Sequence, residues 1–126
     1  MATQPRFASD PRFGSIQLAN GDSTNASASA LAGVAMGTRV TEIHLYSDPT
    51  TTPGGTYKVA VLIHDGTNAR VFDVVTLVNA VDTVQATLQP LNLFLPSASH
   101  TVRFQMRTQL TSGATLDCTV QGQDLT

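Results

Sequence analysis

Apolar and polar residues alternate along much of the chain. In "HTVRFQMRTQ" (100–109), Val102, Phe104 and Met106 occupy one phase, and Thr101, Arg103, Gln105, Arg107 and Gln109 the other. In "TLDCTVQG" (115–122), Leu116, Cys118 and Val120 alternate with Asp117, Thr119 and Gln121. A period of two puts each set on its own face of a strand, one against a core and one in water. The linker "LTSG" lies between these runs and predicts an antiparallel hairpin. Across it Asp117 would face Arg103 or Arg107, a pair worth about 0.2–1 kcal/mol.

The same rhythm recurs upstream. "GSIQLA" (14–19) reads as the first strand, and "NGDSTNAS" (20–27) as a polar loop. "TRVTEIHLYS" (38–47) is strand-like until "SDPTTTPGG" breaks it. "TYKVAVLIH" (56–64), "ARVFDVVTLV" (69–78) and "DTVQATL" (82–88) follow. "PLNLFLP" (90–96) is apolar between prolines, which suits an edge or a crossover. No segment keeps a helical period. "ASALAGVAM" (28–36) comes nearest, but it is short and has an internal glycine. About seven to nine short strands separated by turns predict an all-β fold: an antiparallel β-sandwich, jelly-roll-like. The domain is expected over 13–126, preceded by an extended N-terminal arm over 1–12.

"HDGTNAR" (64–70) brings histidine, aspartate and arginine close together in sequence. Asp-Gly supplies a positive φ at little cost and Asn tolerates one, so the stretch predicts a hairpin tip. Adjacent strand residues point to opposite faces, which separates His64 from Asp65 as a catalytic dyad.

Composition narrows the function classes. The chain has 126 residues, enough for one domain without a metal or disulfide to hold it. Charged residues make up 13%, against about 25% in typical domains, and Lys58 is the single lysine. Net charge is −2, with no basic patch for nucleic acid. One cysteine, Cys118, permits no internal disulfide and no Cys-based zinc site. No apolar run approaches the roughly 20 residues of a membrane span. "MATQPRF" lacks the basic and apolar regions of a secretory signal, so the expectation is a protein made and assembled in a cytoplasm.

Candidate chemistry is sparse. His44, His64 and His100 lack the spacing of metal motifs. Asp10, Asp22, Asp48, Asp65 and Asp82 stand beside turn residues or strand boundaries, while Glu42, Asp73 and Asp117 lie within strands. No G-x-S-x-G elbow, P-loop or G-x-G-x-x-G occurs. The expectation is no enzyme, no cofactor and no metal. Tyr46 and Tyr57 flank one loop and keep a glycan-binding reading open. The N-terminus stands out more. "PRFAS" (5–9) returns as "PRFGS" (11–15), each copy presenting an Arg and a Phe on a proline-stiffened backbone. Arg6, Phe7, Arg12 and Phe13 are therefore the candidate protein-interface residues, since Phe and Arg are favoured interface anchors. The alternative is that Phe13 belongs to the first strand and Phe7 covers the domain's own end.

"YKVAVLIHDGTNARVFDVVTL" and "TVQATLQPLNLFLPSASHTVRFQMRT" resemble small virion proteins of tailed bacteriophages. In these a strand ends in an "HDGTN" hairpin, and an "LPxxxxVR" segment and a late Gly-Asp follow. Here the end reads Gly122-Gln123-Asp124, an imperfect match. The resemblance covers Arg39 to Asp124. It implies a β-sandwich capsid decoration (cement) protein on the virion surface, a homotrimer bound to the major capsid protein, with no catalytic residues to carry over. Low surface charge suits the same role, because few charges need desolvation in a contact. A tail-associated or receptor-binding sandwich, with glycan contacts around Ser47 to Tyr57, is the alternative.

Overall fold

A computed structural model describes residues 9–19, 21, 27–47, 57–77, 83–89, 91–108 and 115–125. Among them are nine strands: β1 (Ser9–Ala19), β2 (Ala28–Ala32), β3 (Thr38–Ser47), β4 (Tyr57–His64), β5 (Ala69–Leu77), β6 (Thr83–Leu88), β7 (Leu93–Leu95), β8 (Thr101–Met106) and β9 (Thr115–Leu125). The β-branched and aromatic runs read from the sequence supply most of them. β2 comes from the small residues "ASALA", where alternation is faint, and it carries a bulge at Ala30.

The pairings are nested. β4 pairs β5 through the tight hairpin, β3 pairs β6 outside it, β2 pairs β8, and β1 pairs β9, all antiparallel. Successive pairs fall in opposite sheets, giving β1-β9-β3-β6 in one (sheet A) and β2-β8-β4-β5 in the other (sheet B). A long double ladder rolled into two facing sheets is a jelly roll. β7 is an addition, a short edge piece along Thr38–Val40 of β3.

Two expectations need correction. β8 and β9 do not form a hairpin: β8 lies between β2 and β4, and β9 between β1 and β3. Alternation assigns each strand an inward face but says nothing about its ladder partner. Asp117 accordingly accepts a hydrogen bond from Gln17 Nε2 (2.9 Å) on β1 and does not face Arg103. The boundary at 12/13 also moves. β1 starts at Ser9, and residues 9–12 already pair with 122–125, so they belong to the sandwich. Arg6 and Phe7 lie outside the described residues.

The hairpin tip forms as expected. Asp65 N–H donates to Asn68 O (3.0 Å), and Gly66 takes φ 97°. Asp65 Oδ1 accepts from the N–H groups of Thr67 (2.9 Å) and Asn68 (2.7 Å).

The core fills the space between the sheets. Sheet A contributes Val40, Ile43, Leu45, Leu116, Cys118 and Val120, and sheet B contributes Val59, Val61, Val102, Phe104 and Met106. Phe104 is the largest of the fully buried side chains. Burial pushes the Cys118 thiol well above its ordinary pKa, with Asp117 adding to the effect. Where β1 passes over β2, Gly14 faces Ala30 O so closely that a Cβ there would violate the 3.0 Å spacing real Cβ atoms keep.

Candidate functional site

The sequence singled out Arg12 and Phe13, and β1 turns them in opposite directions. Ile16 and Leu18 pack inward, so Gly14 and Arg12 share that phase, while Pro11, Phe13, Ser15 and Gln17 face out. An arginine on an inward phase needs partners. Arg12 lies where the sandwich opens and finds them on three other strands. Its Nη2 donates to Asp124 Oδ1 (3.0 Å) on β9, to Thr38 Oγ1 (3.4 Å) on β3, and to Ala32 O at the end of β2. Its Nε lies 2.8 Å from Asp124 Oδ2, but that N–H is not aimed at the oxygen, so this half of the pair is Coulombic. Thr38, fully buried, donates its hydroxyl to the same Asp124 Oδ1 (2.7 Å). The cluster ties sheet A to sheet B and closes one end of the core. Asp124 is the residue that the motif reading left without a role. Its signal was its phase, since it follows Leu116, Cys118, Val120 and Gly122 on the inward side of β9.

Phe13 is 72% exposed on the outer face of sheet A, opposite Gln121. Phe94 of β7, 47% exposed, lies on the same face beside Arg39, which in turn pairs with Gln123. Its ring occupies the space over Gly37 that a side chain there would need. Met36 is exposed in the adjoining turn. Sequence reasoning missed Phe94, although "LNLFL" places it on the polar phase between Leu93 and Leu95. The arrangement offers apolar anchor points on a polar sheet face, flanked by Arg39, and suits contact with another protein surface.

The other candidates have local structural uses. His44 Nε2 pairs with Glu42 Oε2 (2.8 Å), its neighbour on the same face of β3. His64 Nδ1 accepts from Gly66 N–H (3.0 Å) at the hairpin tip. His100 Nδ1 bonds Ser97 Oγ (2.8 Å) in the loop before β8. Among the described residues no group of three His, Cys, Asp or Glu is placed to hold a metal. Asp65 is committed to the turn. The two backbone bonds it accepts hold its carboxyl below the usual 3.8. Asp10, Asp22, Asp48 and Asp82 carry no described side chain, and the Ser47 to Tyr57 loop of the glycan reading lies outside the described residues between its ends.

No protein-family model matches the chain, and no curated protein matches it. A solved structure does. A chain of the cyanophage Pam1 capsid asymmetric unit superposes with a TM-score of 0.59 at 19% sequence identity, over 98% of this chain and 91% of that one. At that identity the likeness establishes a shared fold across nearly the whole of both chains.

Proposed function

We propose that the chain is a capsid decoration (cement) protein of a tailed bacteriophage. It binds the outside of the major capsid lattice as a homotrimer and stabilises the head. The observation that carries this reading is the end-to-end likeness to a chain of a phage capsid unit. Such a role calls for a stable sandwich with few charges to desolvate, and the composition supplies one. It calls for no enzyme activity, metal or cofactor.

Attachment is assigned to the N-terminal arm together with the adjoining outer face of sheet A. Phe7 and Phe13 act as anchors, with Arg6 beside the first. Arg12 acts indirectly, by fixing the start of β1. Burying one phenylalanine side chain is worth about 1.5–3 kcal/mol, a tenfold to hundredfold change in affinity, and three arms in a trimer add avidity.

The test is occupancy on purified particles after a wash, read beside the melting curve of the free protein. Deletion of Met1 to Ala8 leaves every β1–β9 pair in place, and it should strip the protein from particles without unfolding it. Phe7→Ala and Phe13→Ala should each weaken retention, and Thr67→Ala at the hairpin tip should not. Full occupancy without the arm would reject arm anchoring. A particle map placing the chain on the tail alone, or as isolated non-touching copies, would reject the cement trimer.

A further inference from the structure

β4 contains Val59-Ala60-Val61-Leu62-Ile63, and β5 contains Val71-Phe72-Asp73-Val74-Val75. A strand with one wet face should alternate, and runs this apolar are written for strands covered on both faces. Val59 and Val61 face the core. Ala60 and Leu62 take the opposite phase, on the outer side of sheet B, where both are already buried, and the ladder sets the exposed Val71 and Val74 beside them. The outer side of sheet A is more polar, with Gln17, Glu42, His44, Asp117, Thr119 and Gln121 around the exposed Phe13 and Phe94. Val71 is 51% exposed, and Phe72 and Val74 are 43% exposed each. Among the described residues β5 is also the last strand of its sheet, an edge of nine residues with no further strand beside it.

The charges on this edge are arranged in a particular way. Leu62 pairs Val71 and Val61 pairs Asp73, so Phe72 is the extra residue of a bulge. Arg70, opposite Ile63, and Asp73, opposite Val61, thus share a face although they are three apart in sequence. They stand one ladder step to either side of Val71. Neither has an ion-pair partner among the described residues. Asp73 Oδ1 accepts the N–H of Val74 (2.8 Å), which leaves its carboxylate further acceptor capacity.

The geometry points to a second copy of this chain as the partner of this edge. Two β5 strands lie side by side and antiparallel about a two-fold axis at Val71. That rotation sets Arg70 opposite the other copy's Asp73 and Asp73 opposite its Arg70, while Val71 meets its counterpart within a continuous apolar strip. A contact in which each residue meets its reciprocal is the isologous kind. In the proposed trimer this two-fold contact would join one trimer to another. The pairing in solution does not rest on the capsid reading.

Charge reversal of the full-length chain, followed by sedimentation over a micromolar concentration series, tests it. Arg70→Asp makes the edge all acidic and Asp73→Arg makes it all basic. Each alone should weaken β5-mediated association about tenfold or more. An equimolar mixture of the two, or the double variant Arg70→Asp/Asp73→Arg, should restore it. Val71→Cys should give a covalent dimer on mild oxidation, and Thr67→Cys, at the hairpin tip away from the two-fold axis, should not; the native Cys118 is buried and adds no background. Exposed positions such as these leave melting curves within about 0.5 kcal/mol; if a single variant fails to fold, the double variant and Val71→Cys decide. Single variants that associate like wild type, or a mixture that fails to recover, would overturn the proposal. So would variants that lose particle occupancy with self-association unchanged, which would give this face to the capsid protein instead.

Discussion

Removing Asp124 should cost the fold more than removing any other single carboxylate among the described residues. Asp124→Ala deletes the acceptor of the Arg12 Nη2 bond (3.0 Å), the counter-charge 2.8 Å from Nε, and the acceptor of the Thr38 hydroxyl (2.7 Å). It leaves a buried hydroxyl and a half-covered guanidinium behind. Hydrogen bonds to charged groups contribute about 1.5–3 kcal/mol each, and the solvent access of Arg12 discounts the Coulombic part. The expected loss is about 2–3 kcal/mol. Unfolding entropy of about 2.1 cal/mol/K per residue then converts this to a Tm lower by about 8–11 °C for a chain of this length. A double-mutant cycle on Arg12→Ala and Asp124→Ala isolates the pair, with an expected coupling of about 1–2 kcal/mol. Arg12→Lys keeps the charge without the planar fork and should recover less than half of it. Denaturant unfolding of the four proteins gives the result directly. A coupling below about 0.3 kcal/mol would mean that Asp124 does not hold Arg12 in place.

Phe104→Ala should destabilise by about 3–5 kcal/mol in the same assay, because the ring is fully buried between the sheets. Phe13→Ala should stay within about 0.5 kcal/mol, and equal losses at both sites would contradict the assigned core. The Asp65 carboxyl is held below 3.8 by the turn, so its contribution is complete above that value and disappears as pH falls through the lower folded-state value. Exchange protection of the Thr67 and Asn68 amides should therefore persist down to about pH 4, and loss of protection near neutrality would refute the capping role. The raised Cys118 thiol should react with thiol reagents only as fast as the domain unfolds; rapid stoichiometric labelling in native buffer would count against its placement.

Much of the sandwich was legible because its strands obey alternation. β3 runs over Thr38–Ser47 as the sequence predicted, and β4 and β5 meet at the Asp-Gly turn. The partnership of β8 with β4 and of β9 with β3 was not legible. A face-to-face sandwich and a simple meander require the same inward and outward phases, and long-range pairing leaves no local mark on either. β2 went unassigned because small residues pack well in strands, loops and helices alike. At the site, the repeat pointed to Arg12 and Phe13 together, yet β1 sends one inward and the other outward. Counting phase from Ile16 and Leu18 separates them. The same count would have exposed Phe94, and it would have marked Asp124 as a carboxylate in need of a cation.

The tight crossing at Gly14 has a consequence for fidelity. "PRFAS" and "PRFGS" are offset by six residues, an even number, so a strand displaced by one repeat keeps every side chain on its present face. Arg6 would then stand where Arg12 stands, and Phe7 where Phe13 stands. A wholesale slide is blocked because Asp10 and Arg12 would replace Ile16 and Leu18 in the core. That penalty does not act on a short stretch borrowed from another copy, whose first unit differs from the second only by Ala8 in place of Gly14. The Ala30 carbonyl leaves no room for that methyl group. The missing methyl at Gly14 thus sets which of the two units the sheet can accept at this position.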